Sequence, residues 1–179
     1  LRSLSSLGVP NLVEYVIPMI VKGLSDDAPY VRKTAAISSV KLYHISPSTI
    51  LESSIIDSLY DMIRDTDPNV VANAIYSLDE ILAKEGGFAT NKPLIMHLIS
   101  KLPEFNEWHQ ILVLQIVYRQ YTPESDDEVF QLMNILDSFL SHSNHAIVFS
   151  VISLFLKYTE ERGQLYQQVF QRIHQPLVS

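Results

Sequence analysis

At 179 residues, 47% apolar and 18% charged, the chain holds enough hydrophobic material for a packed core, which excludes a disordered segment. Its 13 basic and 20 acidic residues leave a formal charge of −7, the wrong sign for a nucleic-acid groove, which needs clustered Lys and Arg. With no cysteine there are no disulfides, thiolate nucleophiles or thiolate zinc sites, and no apolar run reaches the roughly 18 residues of a membrane span.

Taken in chain order, Leu1 to Leu7 reads as the end of a helix, so the expectation is a segment of a longer protein with a partial hairpin at its start. Ile17, Ile20 and Leu24 follow at spacings of three and four, the buried stripe of an amphipathic helix. The triplet returns as Ile56, Leu59 and Ile63, then Ile95, Leu98 and Leu102, then Met133, Leu136 and Leu140, at steps of 39, 39 and 38 residues. After each stripe come a short polar turn and a second helix, opening at Val31, Val70, Trp108 and Ile147, at steps of 39, 38 and 39. Val71, Ile75, Leu78 and Leu82 form one apolar line along a second helix, and Ile147, Val151, Leu154 and Tyr158 form another. In the third repeat Gln115 and Arg119 fall where the register calls for apolar residues, and the line shifts to Ile111, Leu114, Tyr118 and Tyr121.

The boundaries have local causes. Asp67-Pro68 is a carboxylate cap followed by proline at the first helical position, where its missing N–H costs nothing. Ala28-Pro29 repeats the device with Asp26 and Asp27 near the positive helix start. Gly86-Gly87, Ser46-Pro47 and Thr122-Pro123 close helices, and Gly163 closes the last full repeat before Leu165 to Leu177 begins another. The spacing predicts helix hairpins over 11–45, 52–85, 92–121 and 126–160, with partial hairpins at both ends. No hairpin-turn dipeptide supports strands. The fold expected is all-α, a HEAT/armadillo-like α-α superhelical solenoid in which each hairpin hides apolar surface against the next.

Motifs for chemistry are missing. There is no phosphate-cradling Gly-Lys-Ser/Thr loop, no Gly-x-Gly-x-x-Gly and no Gly-x-Ser-x-Gly elbow, and the five glycines suit turns or helix ends. His142 and His145, with Asp137 nearby, flank a turn that fixes no metal geometry, and three or four convergent ligands are required. The acidic groups Asp26-Asp27, Asp65 with Asp67, and Asp126-Asp127-Glu128 each stand just before a helix and read as caps. No catalytic residue, metal site or cofactor is expected. Trp108, the sole tryptophan, takes the register position of Val31 and Val70 and is expected in the packing between hairpins. Lys22, Arg32, Lys33 and Lys41 concentrate basic charge in the first repeat. They are the candidate contacts for an anionic lipid or acidic partner, and the alternative is a solvated face with Arg32 paired to aspartates of its turn.

Four stretches carry a family resemblance. Pro29-Tyr30-Val31-Arg32-Lys33-Thr34-Ala35-Ala36 with Lys41-Leu42-Tyr43 resembles a segment characteristic of beta-adaptins, and Asp67-Pro68-Asn69-Val70-Val71-Ala72-Asn73-Ala74 resembles its counterpart one repeat later. Asn106-Glu107-Trp108-His109-Gln110 and Ser143-Asn144-His145-Ala146-Ile147-Val148 follow in family order, with His109 replacing a small residue of the better-known beta chains. Glu85-Gly86-Gly87 with Asn91-Lys92-Pro93, and Leu132 to Asp137, are most like the beta subunit of adaptor protein complex 4, with the beta chains of complexes 1 and 2 as runner-up.

The resemblance implies the central part of an N-terminal trunk in a four-chain vesicle coat. The partners implied are a medium (mu) chain, a small (sigma) chain, a second large chain and a recruiting small GTPase. It further implies cytoplasmic placement, peripheral on trans-Golgi or coated-vesicle membranes through the complex, with no membrane span and no nucleic acid. Two other readings share the helical composition: another repeat scaffold, such as a nuclear transport receptor or phosphatase scaffold, and an all-helical enzyme with convergent ionisable groups in a pocket.

Overall fold

The computed structural model describes residues 13–160, together with 162, 163, 166, 167, 169, 170 and 173. The expected helix end at Leu1 to Leu7 lies outside the described residues, as does most of the hairpin begun by Leu165 to Leu177. Every regular element among the described residues is helical: α1 Val13–Leu24, α2 Pro29–Ile45, α3 Pro47–Leu51, α4 Ile55–Asp61, α5 Pro68–Leu82, α6 Lys92–Ser100, α7 Glu107–Gln120, α8 Asp126–Leu136 and α9 His145–Thr159. Short 3-10 turns extend α4 (Met62–Arg64), α5 (Ala83–Glu85) and α8 (Asp137–Ser141), and Leu102–Glu104 follows α6.

The helix starts show why these stretches are helical. Asp67 caps α5, its Oδ1 accepting from the N–H of Asn69 at 2.8 Å and of Val70 at 3.4 Å, with Pro68 in the first turn. Asn91, Asn106, Ser125 and Asn144 cap α6, α7, α8 and α9 in the same manner. At the far end of α5, Gly86 and Gly87 take left-handed conformations, φ 92° and 87°. The Gly87 N–H then reaches the Leu82 carbonyl at 2.9 Å and satisfies a helix-end acceptor.

The chain divides into two compact units, Leu1–Phe88 and Ala89–Ser179. In the first, α1 packs on α2 and α4 on α5, while α2 lies along α5 and α1 along α4. First helices thus meet first helices and second helices meet second. Ile20, Leu24, Leu59 and Ile63 from the predicted stripes are buried, as are Val71, Ile75 and Leu78. Several buried residues of α2 and α5 are small, Ala35, Ala36, Ser38 and Ser39 on α2 and Ala72, Ala74 and Ser77 on α5. Ser77 Oγ lies 2.9 Å from the Ala36 carbonyl and 2.8 Å from that of Asn73, so its proton is shared between helices. Small side chains let the backbones close enough for that bond.

In the second unit α6 packs on α7, α8 on α9, α7 along α9, and α6 along α8. Ile95, Leu98, Leu102, Met133, Leu136 and Leu140 are buried, so the two later stripes are wholly internal. Gln110 is buried and its Nε2 donates to the carbonyls of Leu102 (3.2 Å) and Phe105 (2.9 Å), tying the end of the first helix to the second. The Tyr158 hydroxyl bridges to the carbonyls of Val117 (3.2 Å) and Tyr121 (3.1 Å). Burial pushes the Tyr158 phenol well above its ordinary value. The fold class is all-α, of the HEAT/armadillo helical-repeat type.

Two expectations for the third repeat are corrected. Trp108 is 82% exposed, not packed between hairpins. The buried line of α7 runs through Val113, Leu114, Ile116 and Val117 to Tyr121, leaving Tyr118 exposed and Ile111 half-buried. Val70 and Ile147 are the third residues of their helices, whereas Trp108 is the second of α7. That one-residue slip turns the side chain by about 100° on a helix of 3.6 residues per turn. Trp108, Gln115 and Arg119 then share one outward face.

Candidate functional site

The four basic residues singled out in the first repeat do not form one site. Arg32 leaves the first turn of α2 and is enclosed by the turns around it. Its Nε lies 2.7 Å from Asp65 Oδ2 and its Nη2 2.9 Å from Asp65 Oδ1, while Nη1 donates to the carbonyls of Asp26 (2.8 Å) and Asp27 (2.9 Å). The two side chains are 15% and 10% exposed. Burial drives the Asp65 carboxyl up, yet the hydrogen bond from Arg32, with the Asp67 N–H behind it, holds it below its ordinary value. The bidentate pair leaves Arg32 no free fork for an external anion. It is a tie between the turn before α2 and the turn before α5.

Lys22 is exposed in the last turn of α1. Lys33 and Lys41 are on α2, Lys41 exposed and Lys33 half-buried, with the Lys33 ammonium 5.2 Å from the centre of the Tyr30 ring. Among the described residues neither Lys33 nor Lys41 joins an ion pair. Tyr30, Lys33, Ile37, Lys41 and His44 follow one another at spacings of three, four, four and three, so they fall within about 80° of arc on the helix. Tyr30 and Ile37 belong to this outward line, and the helical spacing alone was signal enough to find them.

The acidic groups have different duties. Only Asp67 is a helix cap. Asp26 Oδ1 accepts from the Ala28 N–H at 2.9 Å within the loop, and Ala28, the residue before α2, offers no side-chain cap. The third group lies inside the first turn of α8, capped by Ser125. There Glu128 accepts from Lys92 Nζ at 2.8 Å, from the Glu124 N–H at 3.0 Å and from the Tyr121 hydroxyl at 3.0 Å. The Lys92 bond, then the Glu124 N–H, hold the Glu128 carboxyl below its ordinary value. Burial, with Glu128 second, raises the Tyr121 phenol to about 12. The capping reading is thus corrected for Asp26, Asp27 and Asp65, which serve the turns and the Arg32 tie, and for Asp126, Asp127 and Glu128, which lie inside α8 behind the Ser125 cap.

His142 is used by its own turn: Nδ1 accepts from the Asn144 N–H at 3.0 Å and the ring stacks on Phe139. His145 is exposed one residue beyond the α9 cap. Among the described residues no three His, Asp or Glu side chains converge as metal ligands do. No described helix is long and apolar enough to cross a membrane. An open groove of about 380 Å³ in the second unit is lined by Tyr118, Ser153, Leu156, Lys157, Glu160 and Tyr166. The Lys157 ammonium there donates to the Tyr118 carbonyl and lies 4.8 Å from the Tyr118 ring centre, so the one cation in the groove is already engaged.

Comparison with known proteins says what kind of chain carries these surfaces. Residues 1–157 match the family described as Cnd1, non-SMC mitotic condensation complex subunit 1. The whole chain is 44% identical to the AP-4 complex subunit beta of Dictyostelium discoideum, covering 21% of that protein. It is 36% identical over its whole length to the AP-4 complex subunit beta-1 of Mus musculus, covering 24% of it. Against the AP-1 complex subunit beta-1 of the same animal it is 32% identical over 99% of the chain and 19% of that protein. The chain therefore spans about a fifth of the length of these relatives, and within one organism it is more like the AP-4 chain than the AP-1 chain. By its paired helices and by these matches, it belongs to the helical-repeat family of the condensation-complex subunit, as a beta-adaptin trunk segment.

Proposed function

We propose that the chain is a non-catalytic scaffold segment of a vesicle-coat adaptor complex, most like complex 4. The supporting observation is likeness along the whole chain to AP-4 beta subunits, on a framework of paired helices. In this reading the repeats over 11–45, 52–85, 92–121 and 126–160 belong to one trunk segment. Stacked hairpins offer long ridged faces to folded partners without a catalytic pocket.

The partners are then a medium chain, a small chain and a second large chain. A small GTPase recruits the assembly to the cytoplasmic face of trans-Golgi or coated-vesicle membranes, where it sorts cargo. Membrane association is peripheral and comes through the complex. The beta chain of complex 1 or 2 is the second reading, favoured by the AP-1 likeness.

Co-expression of the full-length beta chain with the other three chains tests this. The expected result is a four-chain species in gel filtration. A beta chain that elutes alone in every combination, or that instead retains import cargo or a phosphatase catalytic chain, overturns the proposal.

A further inference from the structure

We propose that the outward line of α2, Tyr30, Lys33, Ile37, Lys41 and His44, docks an acidic face of a companion chain in the assembled complex. The proposal rests on the adaptor-complex reading and adds the place and the chemistry of one contact.

Three observations carry it. First, α2 contains no acidic residue, so a chain of net charge −7 presents here a helix with only basic ionisable side chains apart from its tyrosines. Second, three carboxylates of the neighbouring turns and helix are otherwise occupied. Asp65 holds Arg32, Asp67 caps α5, and Glu80 of the adjoining α5 lies 3.7 Å from His44 Nε2, leaving Lys33 and Lys41 without an ion pair among the described residues. Third, the cations alternate with apolar groups: Tyr30 is 59% exposed beneath Lys33, and Ile37 sits half-buried between Lys33 and Lys41.

Unpaired cations set between apolar groups favour a protein face that brings carboxylates and apolar side chains at matching spacing. Apolar contact removes water, and the charge pairs fix the register. An anionic membrane is the poorer match, since it takes clusters of roughly four to eight basic residues and this line has two lysines. The line is about 21 Å long at 1.5 Å per residue, the length of one helix or strand of a partner.

The test is amine labelling of the full-length beta chain, alone and in the four-chain complex, read by mass spectrometry at Lys33 and Lys41. Both lysines are expected to lose labelling in the complex. The K33E/K41E chain is expected to assemble about tenfold more weakly, while K33R/K41R assembles normally; circular dichroism establishes that both variants are folded. A complex that forms while both lysines label as in the free chain overturns this inference and leaves the adaptor reading intact. Failure of the unaltered chain to assemble overturns both. Labelling that falls only when phosphatidylserine vesicles are added overturns it in favour of a lipid surface.

Discussion

Trp108 and Arg32 show how far a side chain's role departs from its type. A tryptophan near a helix start is ordinarily core, but here the ring projects into solvent with 82% of its surface open. Trp108→Ala should therefore change unfolding free energy by no more than about 0.5 kcal/mol in urea denaturation, and a loss near the cost of a buried tryptophan would show that the ring is covered. Arg32 and Asp65 are the reverse case, charged residues held in a nearly closed turn. Arg32→Ala and Asp65→Ala should each cost about 1–3 kcal/mol, because each strands the other's charge, and a double-mutant cycle should return a coupling of similar size. Since the folded Asp65 carboxyl sits below its ordinary value, its contribution is complete above the unfolded value and fades as pH falls through the lower folded one. The Asp65→Asn chain should accordingly lose less stability than the parent as pH falls below the ordinary carboxylate range, in acid titrations followed by circular dichroism.

At the scale of the element, the ends decide more than the middles. The α5 segment was legible from Asp67-Pro68 at one end and Gly86-Gly87 at the other, because a capping carboxylate and a left-handed glycine are local devices that need no tertiary partner. Asp67→Ala should cost about 1 kcal/mol, and Gly86→Ala a similar amount. The space around Gly86 is open, so its cost is conformational strain at φ 92°, not a clash. Thermal unfolding of the two variants measures both, and an unchanged Gly86→Ala melting temperature would show the turn to be relaxed. The start of α7 departs from expectation for the converse reason. Its outward tryptophan and inward Gln110 invert the usual polarity, and only the carbonyls of Leu102 and Phe105, brought round by the hairpin, make a buried glutamine acceptable.

For the molecule as a whole, the net charge of −7 and an isoelectric point near 5.3 are properties of the complete set of side chains. Solubility should pass through a minimum near pH 5.3, where self-repulsion vanishes, and turbidity measured against pH checks this. The candidate site was half legible: Lys33 and Lys41 were flagged by charge, while Arg32 was flagged with them although Asp65, 33 residues away, consumes it. By itself the sequence determined the helical class, the Asp67 cap and the family, because spacing, composition and short-range hydrogen bonding are written within one turn or one repeat. Tertiary structure alone decided which cations stay unpaired, which face of α7 is outward and which small residues let α2 close on α5, since each depends on what a neighbouring repeat brings within about 4 Å.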